Sequence, residues 1–223
     1  MPAYLSDAID LLLLGGPVVV VLGMFSLAAA TVTLAKGWQW WALRASRGAP
    51  VGLALQHLEH GERHRALLMV KGQRNPRAQL LAQALTLLDD PSLELDAVRD
   101  EVLRQARAAV SLLGSHLRVL EIIVNLAPLL GLFGTVLGMI EAFQAMEAAG
   151  TAVNPAVLSA GIWKALLTTA VGLAVAIPVA LVHGWFERRL EVEAAAMRDD
   201  FDRVFTCVAR LPRAAGLARP KQA

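Results

Sequence analysis

Three hydroxyls and one ammonium stand in stretches of this chain that are otherwise apolar. Thr135 lies in LAPLLGLFGTVLGMIEAF, and Lys164, Thr168 and Thr169 lie in GIWKALLTTAVGLAVAIPVALVHGWF. Lys164 and Thr168 are four residues apart and share a helix face, which Gly172 and Ala176 continue. Inside a bilayer such groups face a bundle interior or a water-filled path, because a central Lys costs about 2.5–3.5 kcal/mol on insertion scales. The chemistry on offer is ion movement along a hydrated face. Lys164 has a second reading, since Ala165–Phe186 already supplies 22 uncharged residues and the ammonium can snorkel to the outer interface. Thr135 also has one, a bond back to its own helix carbonyl at i−4.

These residues need helices of membrane length. Leu11–Ala35 is 25 residues without a formal charge, roughly 37 Å of helix against a hydrocarbon core of about 30 Å. Ile122–Ile140 is a second such run, and Ala148–Trp163 with Ala165–Phe186 a third, interrupted only by Lys164. Spans are expected at 11–35, 119–142 and 157–186. Pro128 and Pro178 fall inside the last two, each a candidate kink that neighbouring helices can satisfy. Gly131, Gly134 and Gly138 share roughly one face, with Gly134 and Gly138 as GxxxG, and bring backbones close together. Packing alone accounts for that face as well as function does.

The composition agrees: 56% of the 223 residues are hydrophobic and 18% charged, with a mean hydropathy of +0.52, outside the range of a soluble domain. A net charge of +2 gives no argument for nucleic acid, and one Tyr and six Phe leave few stacking platforms. The basic residues are one-sided. None falls in 1–10 or 141–160, twelve fall in 36–118 and eight in 187–223, which predicts an outer N-terminus and an inner C-terminus. Trp38, Trp40, Trp41, Trp163 and Trp185 flank the spans as an interfacial belt does. The first ten residues carry two acids and no base, so they lack the n-region of a cleavable signal and are expected to be retained.

The region 36–118 reads as helices separated by Gly48-Ala49-Pro50, Gly72, Asn75-Pro76 and Asp89-Asp90-Pro91, with Asp90 as an N-cap before Pro91. Apolar residues from Val98 to Leu120 then recur at helical spacing, which predicts one helix running unbroken into the second span, with Gly114 its weakest point. A stripe of Phe186, Leu190, Ala194, Met197, Phe201, Val204 and Val208 continues the third span in the same way. The fold class is an all-α integral membrane protein with three transmembrane helices, two of them extended into a helical domain. Residues 219–223 read as a frayed tail.

Enzyme chemistry finds no HExxH, GxSxG or Walker loop and no nucleophile-base pair, and no cofactor is implied. His57, His60 and His64 fall at i, i+3 and i+7, but Gly61 weakens their helix and Arg63 and Arg65 disfavour a cation, so no metal site is assigned. Cys207 is a small apolar member of the stripe. Glu121 pairs with Arg118 or lines an inner exit.

The run Asn125-Leu126-Ala127-Pro128-Leu129-Leu130-Gly131-Leu132-Phe133-Gly134-Thr135-Val136 and the run Ala165-Leu166-Leu167-Thr168-Thr169-Ala170-Val171-Gly172-Leu173, continuing to Ala176-Ile177-Pro178, resemble the ExbB/TolQ/MotA proton-channel family, most of all its ExbB/TolQ branch. The resemblance implies a multi-pass protein of the bacterial inner membrane, with segments 1–10 and 143–156 periplasmic and 36–118 and 187–223 cytoplasmic. It implies a homo-oligomer, a pentamer, around a dimer of single-span ExbD/TolR-like partners whose intramembrane Asp carries protons. The assembly would drive a TonB-like or Tol-type transducer with the proton motive force, and Thr135 and Thr169 would be its pore-facing hydroxyls. Lys164 departs from the family, where Glu is usual. Its expected role is to face the partner helices and tune their Asp. The competing reading is a non-conducting oligomeric scaffold that has lost the ion path.

Overall fold

The computed structural model describes residues 16–45, 50–149 and 155–217. Among them seven helices follow in order, with no strand: α1 (Gly16–Ala45), α2 (Pro50–Glu59), α3 (Arg63–Val70), α4 (Pro76–Leu87), α5 (Leu95–Gly114), α6 (Leu117–Ala149) and α7 (Pro155–Leu217). Three of them, α1, α6 and α7, are long and apolar enough to cross a membrane. The N-terminal segment 1–10, the start of the first expected span, the centre of the 143–156 loop and the tail from 218 lie outside the described residues.

The chain divides into two compact units, Met1–Lys36 with His116–Phe186 and Gly37–Ser115 with Glu187–Ala223. In the first, the inward residues are mostly small or branched: Val19, Leu22 and Ala29 of α1, Ile123 and Ala127 of α6, and Ala165, Ala176 and Val179 of α7. The large apolar side chains point out instead. Leu27, Leu34 and Leu181 are each more than 70% exposed on the single chain, the reverse of a water-soluble bundle and the arrangement expected where lipid or another subunit is the surroundings.

The second unit has an ordinary hydrophobic core in two adjoining clusters. One joins Val51, Leu55 and Leu58 of α2, Val70 of α3 and Leu81 and Leu85 of α4 to Val204 of α7. The other joins Leu80 and Ala84 of α4 and Val98, Val102 and Ala106 of α5 to Met197 and Phe201 of α7. The apolar stripe of α7 thus packs on the short helices, and Cys207 lies half-buried against the first cluster.

The breakers act largely as their chemistry requires. Asn75 caps α4 by accepting the Arg77 N–H at 2.9 Å, with Pro76 as first helical residue. Gly61 and Gly72 adopt φ of +79°, and the first of these separates α2 from α3, so His57, His60 and His64 do not share one helix. His57 Nδ1 instead pairs with Glu62 Oε2 at 2.6 Å.

Two local expectations are corrected. Asp90 caps a turn and not a helix: its Oδ1 accepts the Ser92 N–H at 2.9 Å and the Ser92 hydroxyl at 2.6 Å, and α5 begins only at Leu95. An Asp side chain serves an Asx turn and a helix cap with the same acceptor, so Asp-Pro alone does not distinguish them. The second correction concerns the helix expected to enter the second span unbroken. It stops at Gly114, and His116 takes φ of +67° before α6 starts at Leu117. At Gly114 a Cβ would meet Leu190 Cδ2 at 2.9 Å, so a larger residue there would require the leucine side chain to move. The spanning helices that do continue into the second unit are α1 and α7.

Among the described residues of the second unit the buried charge is Asp200, 4% exposed, and both its oxygens are taken by Arg77: Nε at 2.8 Å and Nη2 at 2.9 Å. This bond holds the Arg77 guanidinium above its ordinary pKa. Removing one member of a buried pair strands the other. Asp200→Ala is expected to cost about 2–3 kcal/mol, and Arg77→Met combined with Asp200→Leu to recover most of it, both measured by denaturant unfolding of the detergent-solubilised chain.

Candidate functional site

α6 and α7 run antiparallel and meet along small residues. A Cβ added to Gly172 would lie 2.7 Å from the Ala127 carbonyl oxygen and 3.1 Å from Gly131 Cα. One added to Gly131 would lie 3.1 Å from the Thr168 carbonyl oxygen and from Thr169 Cα. One added to Gly138 would lie 3.0 Å from Ala165 Cβ, and one added to Gly161 would lie 2.5 Å from Ala142 Cβ. Each step up α6 is a step down α7. The helices therefore touch backbone to backbone, as a small-residue seam permits in a medium that gives no hydrophobic drive.

The hydroxyls are set by this seam. Thr168 is 2% exposed and fits over Gly134, where a Cβ would come within 2.5 Å of its Oγ1. It donates to Ala165 O at 2.7 Å and lies 3.2 Å from Gly131 O. Thr169 Oγ1 reaches the same Gly131 O at 3.2 Å and is only half-buried. Thr135, also half-buried, donates to Leu132 O at 2.6 Å, the carbonyl at i−3 and not i−4. Thr168 thus lies inside the chain's own helix pair, while Thr135 and Thr169 stand at its margin.

Lys164 makes the contact that sequence reasoning missed. Its Nζ lies 2.7 Å from Glu141 Oε2, across the seam on α6. Glu141 is the residue that ends the second uncharged run, and treating each span alone gave it no partner. The signal was present in the numbering: 141 and 164 lie 11 and 12 residues from position 152, so an antiparallel hairpin turning near there brings them close to level. The helices continue through Pro128 and Pro178. Each proline leaves a carbonyl four residues earlier without its helical donor, at Val124 and Ala174. Trp163 and Trp185 are exposed, Trp38 and Trp41 are exposed and in ring contact at 5.5 Å, and Trp40 is buried. Among the described residues no group of His, Cys, Asp and Glu could hold a metal ion.

A family model described as the MotA/TolQ/ExbB proton channel family matches residues 72–199. The chain is 31% identical over 150 residues to an ExbB homolog from Methanothermobacter thermautotrophicus, a match covering 67% of this chain and 52% of that protein. It is 34% identical over 110 residues to the Tol-Pal system protein TolQ of Pseudomonas aeruginosa, covering 48% and 47%. An ExbB-like protein of Synechocystis is 30% identical over 200 residues, covering 81% and 72%. The chain spans about half the length of the first two.

The seam makes a direct prediction about glycines. Gly172→Ala places a Cβ against a backbone oxygen and is expected to destabilise the hairpin by about 1–3 kcal/mol. Gly184→Ala, on the same helix, meets nothing within 4 Å and is expected to be neutral or to gain up to about 1 kcal/mol. Unfolding in mixed detergent micelles compares the two.

Proposed function

The chain belongs to the MotA/TolQ/ExbB proton channel family, on its ExbB/TolQ branch, and from that premise we propose that it is the ion-conducting subunit of a motor in a bacterial inner membrane. Copies of the chain form a pentameric ring around a dimer of single-span ExbD/TolR-like partners. The assembly uses the proton motive force to act on a TonB-like or Tol-type transducer. Segments 1–10 and 143–156 face the periplasm, and 36–118 and 187–223, which hold all the Lys and Arg but Lys164, face the cytoplasm.

One observation carries this reading. Thr135 and Thr169 are half-buried hydroxyls on two antiparallel helices, level to within about one turn of roughly 5 Å, in a stretch with no formal charge between 122 and 140 or between 165 and 186. Hydroxyls at the margin of a helix pair can exchange their backbone acceptor for water at small cost, which gives a passing proton a hydrated wall. Lys164 and Thr168 stand behind that wall, and Thr168 positions it through the Gly131 carbonyl that it shares with Thr169.

A scaffold without conduction has a specific observation in its favour. Each of the three hydroxyls already donates within the chain, and Lys164 is neutralised by Glu141, so none of these groups demands water. Proton flux into vesicles holding the chain and its single-span partner separates the readings. Flux well above that of either protein alone is expected, falling at least about tenfold in Thr135→Val with Thr169→Val. Background flux from an intact assembly would make the chain a scaffold.

A further inference from the structure

Glu141 and Lys164 form an ion pair at 2.7 Å in a place where stability does not ask for one. Small-residue contacts already clamp the hairpin on both sides of it, Gly138 on Ala165 and Gly161 on Ala142. An ion pair in low dielectric seldom stabilises more than well-packed apolar side chains of the same size, because both charges lose hydration. Between residues 122 and 186 the sole formal charges are Glu141, Glu147 and Lys164. An ion pair within an otherwise nearly uncharged hairpin is a functional candidate.

The two partners are not equivalent. The carboxylate side chain is 59% exposed on the chain and the lysine side chain 35%, so Glu141 is presented outward and Lys164 lies under it. One carboxylate oxygen takes the ammonium, and a carboxylate retains further acceptor capacity beyond that bond. Gly16 of α1 lies beside the lysine: a Cβ there would be in ordinary contact, 3.6 Å from Lys164 Cε and 3.7 Å from its Nζ. Along α6 the pair is six residues from Thr135, about 9 Å, and along α7 it is five residues from Thr169, about 7.5 Å. Carboxylate and hydroxyls therefore succeed one another along the same hairpin.

We infer that Glu141 is the cation-accepting carboxylate at this end of the pathway and that Lys164 is its positioning residue, holding it aimed out of the helix pair. The inference rests on the conducting reading above. A proton arriving on Glu141 bonds to the carboxylate oxygen and loosens the ammonium contact; its departure toward the hydroxyls restores the pair. No bond besides O–H is made or broken.

The test uses the full chain with its single-span partner in vesicles, under an imposed proton gradient, with flux read by an internal pH dye and assembly by size. Absence of flux from the unaltered complex would overturn the conducting reading itself, apart from anything about Glu141. Given flux, Glu141→Gln is expected to lower it at least about tenfold, Glu141→Asp to keep it within about threefold, and Lys164→Arg to retain what Lys164→Gln loses. Glu141→Gln with Lys164→Gln leaves no charge to strand and so guards against failed assembly. Flux in that double variant as low as in Glu141→Gln supports the inference. Flux at the level of the unaltered complex, in it or in Glu141→Gln, would overturn it.

Discussion

The approach of α7 to α6 at Gly172 governs the rest of the membrane unit. With the Ala127 carbonyl and Gly131 Cα where a side chain would otherwise be, the two helices have no slack, and their register is fixed to the residue. Everything polar in the hairpin inherits that register. Gly131 has no side chain, so its carbonyl is open to the hydroxyls of both Thr168 and Thr169. Gly134 leaves the hollow that Thr168 fills, and Gly138 and Gly161 hold the helices together around the level of Glu141 and Lys164. A seam of this kind substitutes dispersion contacts for the hydrophobic force that lipid does not supply.

The seam also divides the threonines by role. Thr168 is enclosed and has its acceptors inside the chain, which fixes it within the helix pair. Thr135 and Thr169 use one backbone acceptor each and retain an exposed side. Adjacent residues of the same type thus differ in availability to water because α7 turns by about 100° between them. The ion pair follows the same logic, with the ammonium set back and the carboxylate forward.

Much of this was legible from residue types and spacing. Uncharged runs and glycines at three and four residues disclosed three helices of membrane length and the packed face, because length and periodicity are one-dimensional properties. The cap at Asn75 and the apolar stripe of α7 were legible for the same reason. Glu141 was not, since its meaning lies in a residue 23 positions away on another helix. Asp90 was misread because its side chain serves turn and cap alike. The stop after Gly114 was hidden because the residue that turns the chain, His116, is neither Gly nor Pro, and its φ of +67° is not announced by residue type.

That stop has a mechanical meaning. α1 and α7 pass from one compact unit into the other as unbroken helices, while the passage from α5 to α6 goes through Ser115 and His116. A hydrogen-bonded helix resists bending and carries a twist applied at one end to the other; a two-residue elbow absorbs it in a few backbone torsions. Of these three passages, two are continuous hydrogen-bonded helix and one is interrupted by two residues.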